Sequence, residues 1–436
     1  MTNKSIFAFA FATAAMLTGC DLDKNNPNAP SQGTILNSRD GIVALAVGLQ
    51  GRYATGMAYF IYPSGLISDE LGTPIAALQS YKDAEVGALA DTYGVVEDPW
   101  NTHYQTIKSA DDLIGNAANV NLGGETLSGI LSLSYLLKGA SLGELTQQYQ
   151  KIIVNPRAAT PEFVDRPTAI AAVLALLDSA LIENNKFATR SEFSTSIKAG
   201  GLNLQNTILA MQARYNRLAN NWPAALAAAN AVDTSVVSFM NFSDQAINPV
   251  FDLSSRSSYI RPRDTVRVIA EPGDARIAFN ITGPTVAGTV RPIRSFAQYP
   301  ATTSPIAFYW PGEIMLIKAE AWANTNQLAL AAQMVNYVRT RCGGAANQPK
   351  ACLPALPASE LTTKEQIVAE IYKQRKFELF GTGLRWEDVR RLGLVSATSP
   401  YAKRCWLLYP NSERNTEPNV PANPSGDPPA SFSTCL

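Results

Sequence analysis

Three acidic pairs, Asp69-Glu70, Glu97-Asp98 and Asp111-Asp112, are the residues best suited to carboxylate chemistry. Two carboxylates set across a sugar would hydrolyse a glycosidic bond. Helix starts and solvated faces explain the same pairs more simply. The chain has one histidine, His103, beside Trp100 and Tyr104 in a helical pattern. It reads as a packing or surface residue and leaves no basis for a His-built metal site. Gly-x-Ser-x-Gly, His-Glu-x-x-His and a complete Gly-x-Gly-x-x-Gly are missing, and Gly381-x-Gly383 lacks its third glycine and follows a helix. No cofactor and no metal are expected, and binding is what remains.

The five cysteines divide by position. Ile6 to Leu17 is an apolar run behind Lys4, too short to span a bilayer but suited to a signal peptide. It ends in Leu17-Thr18-Gly19-Cys20, the pattern of a bacterial lipoprotein processing site. Residues 1–19 are therefore read as a leader, and Cys20 as the acylated first residue of the mature chain. Residues 20–38, polar and Pro-bearing, read as a flexible tether. Acyl methylenes contribute about 0.8 kcal/mol each, so several chains make a durable anchor. No later stretch is expected to cross the membrane. Cys342, Cys352, Cys405 and Cys435 then remain in an exported chain, where three pairings are open and Cys342–Cys352 with Cys405–Cys435 is favoured.

Lys+Arg and Asp+Glu both number 36 in 436 residues, so no cationic excess exists to neutralise nucleic-acid phosphates. A hydrophobic content of 46% excludes bulk disorder.

The positioning elements are mostly helical. Helices are expected over Asn37 to Tyr53 with Ser38 as N-cap, Pro99 to Asn119, Leu127 to Ile153 and Pro167 to Ile182. Gly51 to Leu89 reads as a long loop region rich in Gly, Tyr and Pro. Residues 206–232 and 310–342 each read as a helix pair of tetratricopeptide type, turning at Asn220-Asn221 and Asn324-Thr325-Asn326, without the fixed period of a solenoid. Between them lie loops with occasional strands, Asp264 to Ile269 among them. Thr362 and Glu365 suggest a capping box opening a helix from Thr363 to Phe380. From Cys405 the tail is Pro-rich and reads as irregular. Residues 39–436 are taken as a single domain.

The segment 363–393 contains Arg375, Glu378, Leu379, Gly383, Arg385, Trp386, Asp388 and Arg391 in the order Arg-x-x-Glu-Leu, glycine, Arg-Trp-x-Asp-x-x-Arg. This resembles the C-terminal signature of the SusD/RagB family of lipoproteins, with Gln374 where the family often has Glu. "WPGEIMLIKAEAWA" and "MVNYVRTRCGG" resemble the helix pair ahead of that signature, and "PWNTHYQTIKSADDLI" an earlier helix. The fold expected is mostly α, of tetratricopeptide-like helix pairs with large irregular insertions and few short strands. Arg375, Glu378, Arg385, Asp388 and Arg391 are read as a partly buried ion-pair network, a structural role suited to the planar guanidinium.

The resemblance implies a non-catalytic outer-membrane lipoprotein at the cell surface. It would capture oligosaccharide, or sometimes peptide, for a SusC-like TonB-dependent transporter. Sugar capture needs aromatic faces for pyranose C–H groups and polar groups for hydroxyls. On composition, Tyr59, Tyr62, Tyr81 and Tyr93, with Gln79 and Asp83, are the candidates; Tyr53 and Phe60 lie in the same stretch. Two rival readings are a helical scaffold lipoprotein of outer-membrane assembly, which would show a more regular repeat, and an extracytoplasmic glycan hydrolase.

Overall fold

The computed structural model describes residues 32–343, 347–395, 404–424 and 435. The leader, Cys20 and most of the tether lie outside them. The end of the stretch read as tether, Gln32–Leu36, is a short helix, because Leu36 packs against the core.

Eleven longer helices build the fold: α1 Arg39–Ile67, α2 Gln79–Val86, α3 Gly94–Asn116, α4 Gly124–Gln148, α5 Arg166–Asn185, α6 Leu204–Leu218, α7 Trp222–Ala231, α8 Pro311–Asn324, α9 Leu328–Thr340, α10 Lys364–Glu378 and α11 Arg385–Arg391. Eight short strands form four two-stranded antiparallel ribbons: β1 Leu71–Gly72 with β5 Arg261–Pro262, β2 Ile152–Ile153 with β3 Phe163–Val164, β4 Phe239–Met240 with β8 Ile306–Ala307, and β6 Ile281–Val286 with β7 Ile293–Phe296.

The first helix corrects the largest misreading. Ser38 does cap it, its hydroxyl accepting from the Gly41 N–H. Yet α1 runs fourteen residues past Tyr53, to Ile67, through Gly56, Pro63 and Gly65. The stretch lacks a helical stripe because it is buried on almost every side, and packing overrides propensity there. Pro63 cannot donate to the Tyr59 carbonyl one turn back; the Gln148 side-chain amide donates to that carbonyl instead, at 2.9 Å. Gly56 leaves room for His103, whose Cε1 would lie 3.2 Å from an added Cβ. His103 is fully buried, and burial lowers its pKa to about 3, so it packs as a neutral ring.

Three smaller corrections have local causes. Residues Asp264 to Ile269 form a helical turn, Thr265–Val268, and not a strand: the Asp264 carboxylate accepts from Arg267 three residues on, which closes the backbone. The capping box is one residue later than expected, with Thr363 and Gln366 as its partners, and Glu365 sits in the first turn. Within the Pro-rich tail, Asn411–Thr416 is a short helix.

Both helix pairs turn through a left-handed asparagine, Asn220 at φ 55° and Asn326 at φ 60°. Helix α5 is long and apolar enough to cross a membrane by length and composition. Its buried Ile170, Val173, Leu177 and Ala180 belong to the main core. Gly139 of α4 meets Leu176 and Leu177, and Ser132 donates to the Ala180 carbonyl, so the two helices lie close together.

Candidate functional site

The end of α1, all of α2 and the start of α3 converge on one surface. Tyr59 and Tyr62 project from the last turns of α1, where Gln148 holds the backbone against Pro63. The rings form a chain. Tyr59 meets Tyr62 edge-on at 5.6 Å, Tyr62 meets Tyr81 of α2 edge-on at 5.8 Å, and Tyr81 stacks on Tyr259 at 5.4 Å with planes 24° apart. Such offset and T-shaped contacts suit the ring quadrupoles and fix each plane.

Asp83 organises the polar side. One oxygen accepts from the Tyr93 hydroxyl at 2.8 Å and the other from the Gln79 amide at 2.7 Å. Gln79 is exposed, and Tyr81, Asp83 and Tyr93 are half-buried. Asp98 lies beside the rings, within 3.5 Å of the Tyr62 hydroxyl, and burial raises its carboxyl above the usual range. Burial, then the charge of Asp98, pushes Tyr81 up to about 12, so its hydroxyl stays protonated.

All six candidates therefore come together, with different parts. Tyr59 and Tyr81 offer partly open faces, and Tyr62, only 1% exposed, lies beneath and supports them. Tyr53 and Phe60 belong to the core; Tyr53 stacks on Phe308 and donates to Glu144 at 2.7 Å. Sequence reasoning missed Tyr259, and read Asp98 only as a member of the Glu97-Asp98 pair explained by a helix start or a solvated face. Nothing near Tyr259 in the chain signals a place beside Tyr81, because β1–β5 pairing brings its segment there.

The charged signature is built as two clusters. Arg375 donates to Asp388 at 2.7 Å, and Arg217 of α6 spans Asp388, at 3.0 Å, and Glu320 of α8. Arg391 reaches Glu320 at 3.0 Å. Glu378 takes no part in this cluster: it pairs with Arg341 at 2.6 Å and Arg276 at 3.6 Å. Arg375 and Glu378, three residues apart, thus bind different helices. Arg385 acts on Asp388 from the side and also lines a separate cavity. Arg375, Glu378, Arg385 and Asp388 are buried, Asp388 at 1% exposure, and Arg391 is half-buried. Cys342–Cys352 and Cys405–Cys435 are disulfide-bonded.

Four members of the acidic pairs are engaged structurally. Asp69 binds Arg291 and Arg263, Glu97 accepts from the Ser412 N–H, and Asp111 and Asp112 bind Lys138, Lys108 and Arg157. Among the described residues no group of three or more His, Cys, Asp or Glu is placed to hold a metal ion.

Residues 299–424 match the model of the SusD family. Solved structures share the fold at low identity. A SusD homolog from Bacteroides thetaiotaomicron is 12% identical, with 91% of this chain and 99% of that one covered and a TM-score of 0.68. A SusD superfamily protein from the same organism is 16% identical over 88% and 99%, TM-score 0.67. A SusD-like carbohydrate binding protein from Bacteroides vulgatus is 14% identical over 80% and 83%, TM-score 0.59. No protein with a curated description matches the sequence. The fold is the mostly helical SusD-like architecture.

Proposed function

From a chain that carries the SusD-family region on the SusD-superfamily fold, we propose a non-catalytic carbohydrate-capture lipoprotein of the outer membrane. Cys20 is its acylation site after removal of residues 1–19, and residues 39–436 act as one domain. The captured oligosaccharide passes to a SusC-like TonB-dependent transporter. The observation that carries the reading is the ring chain Tyr59–Tyr62–Tyr81–Tyr259, flanked by the Asp83 and Asp98 carboxylates. Fixed aromatic faces hold the C–H side of a pyranose, and the carboxylates accept hydrogen bonds from its hydroxyls. The Bacteroides vulgatus carbohydrate binding protein of the same fold lends support.

Affinity electrophoresis through a panel of polysaccharides tests this. Retention without cleavage is expected on at least one, and Tyr81→Ala should weaken it about tenfold by removing one stacked face. Cleavage of the polysaccharide, or retention unchanged in both Tyr81→Ala and Tyr59→Ala, overturns the proposal.

A further inference from the structure

A cavity of about 500 Å³ lies away from the tyrosines, between α5, the α6–α7 turn and the edge of the buried charge cluster. Small-molecule sites span roughly 300–1,000 Å³, so it has the size of one. Pro167, Ile170, Ala171 and Leu174 of α5, with Leu218 at the end of α6, form its apolar side. Ala171 is exposed and Leu174 half-buried. Helix α5 turns much of its apolar surface outward: 33% of its most apolar stretch is buried, and Ile182 is 63% exposed. Uncovered apolar surface set in a concavity is characteristic of ligand sites.

Arg166, Tyr372, Glu387 and Arg391 form the opposite, polar side, and each charged group there already has a partner of opposite sign. Arg166 donates to Glu387 at 2.6 Å, and Arg391 to Glu320 at 3.0 Å. The second oxygen of Glu387 accepts from Arg390 at 2.9 Å. Burial opposes ionisation of Glu387, but Arg166 and Arg390 outweigh it and hold its carboxyl at about 2. The Tyr372 hydroxyl is taken up between Glu320 and Arg391. Only donors are left over. Arg166 uses two N–H groups, on the Thr146 carbonyl and Glu387, and Arg391 uses three, on Tyr372, the Arg217 carbonyl and Glu320. Each guanidinium carries more than these.

We infer that this cavity binds an uncharged acyl compound, a hydrocarbon chain ending in an amide or ester carbonyl. The chain lies along Ala171, Leu174 and Leu218, and the carbonyl oxygen accepts from the remaining N–H groups of Arg166 and Arg391. A free acid fits worse, because its carboxylate would stand beside ionised Glu387 while both guanidiniums already face carboxylates. An alkylamine fits worse because two guanidiniums would face its ammonium. A neutral carbonyl asks for a donor alone and brings no charge to desolvate.

The test is equilibrium dialysis of the full chain in liposomes, with protein-free liposomes as the blank, against octanamide, hexanamide, octanoate and octylammonium. Octanamide should bind saturably. Hexanamide should bind up to about fifteenfold more weakly, at about fourfold for each methylene withdrawn from water. Octanoate and octylammonium should each bind at least about tenfold more weakly than octanamide. Ala171→Trp, which fills the apolar side from an exposed helix position, should abolish octanamide binding while its melting curve stays close to that of the parent. Leu174→Ala, which removes apolar wall without adding bulk, should weaken octanamide and decides the matter if Ala171→Trp misfolds. Tyr81→Ala should leave octanamide bound, so loss of the tyrosine surface and loss of this site are distinguishable. The proposal fails if octanamide does not bind, if octanoate or octylammonium binds equally, if chain length has no effect, or if folded Ala171→Trp and Leu174→Ala bind as the parent does.

Discussion

Replacing Asp388 by alanine puts the buried charge cluster to its hardest test. The cluster holds the guanidiniums of Arg217, Arg375 and Arg391 against the carboxylates of Glu320 and Asp388. Without Asp388, three cations share one carboxylate, and Arg375 loses its 2.7 Å acceptor at 2% exposure. Removing one partner of a buried pair costs about 3–5 kcal/mol, because the stranded charge stays desolvated. Unfolding entropy of about 2.1 cal/mol/K per residue over roughly 400 residues gives ~0.8 kcal/mol/K, hence a melting point about 4–6 °C lower. Burial opposes ionisation of Asp388, but Arg375 and Arg217 outweigh it and hold the carboxyl below its ordinary 3.8. A depressed carboxylate stabilises above its unfolded pKa and loses that contribution as pH falls through the folded value. The deficit of the variant should therefore persist through neutral and mildly acidic pH and close only in stronger acid. Differential scanning calorimetry of the parent, Asp388→Asn and Asp388→Ala should give that order of stability. A loss below about 1 kcal/mol in Asp388→Ala would refute the view that this network holds α6, α8, α10 and α11 together.

Two further outcomes follow from the same structure. Joint replacement of Cys342 and Cys352 by serine opens a loop of sequence separation 10 and should cost up to about 3 kcal/mol in urea unfolding; an unchanged midpoint would count against it. Burial raises Glu144 to about 7, with the Tyr53 hydroxyl bond and Arg214 opposing. A raised carboxyl stabilises least once ionised, so the parent should lose stability as pH climbs from 4.5 to about 7, by up to about 3 kcal/mol from this group. In Glu144→Gln that slope should flatten, and equal pH profiles of the melting temperature would exclude the effect.

Capped and patterned elements were legible in the sequence. Ser38 marks the start of α1, Pro167 the first turn of α5, and Pro311 that of α8, because these residues act through the local backbone. Glycine- and proline-bearing α1 was not legible beyond Tyr53. Its helix depends on burial from all sides and on Gln148, 89 residues away from Tyr59, to satisfy a carbonyl. The Asp264 turn failed likewise, since β-branched residues suggested a strand and an Asp264–Arg267 ion pair closed a turn.

The tyrosines show where the line falls. Composition alone singled out Tyr59, Tyr62, Tyr81, Tyr93, Gln79 and Asp83, since aromatic and amide groups are what a sugar surface needs. It could not say that Tyr62 lies beneath the others, or that Tyr259 and Asp98 complete the surface. The sequence likewise supplied the order Arg375, Glu378, Arg385, Asp388, Arg391, but not that Arg375 and Glu378 bind different partners. Sequence by itself determined which residue types were available and where helices could start. Only tertiary structure decided which faces remained open and which charges met, because ring stacking and ion pairing act over a few ångströms between segments far apart in the chain, 171 residues in the case of Arg217 and Asp388.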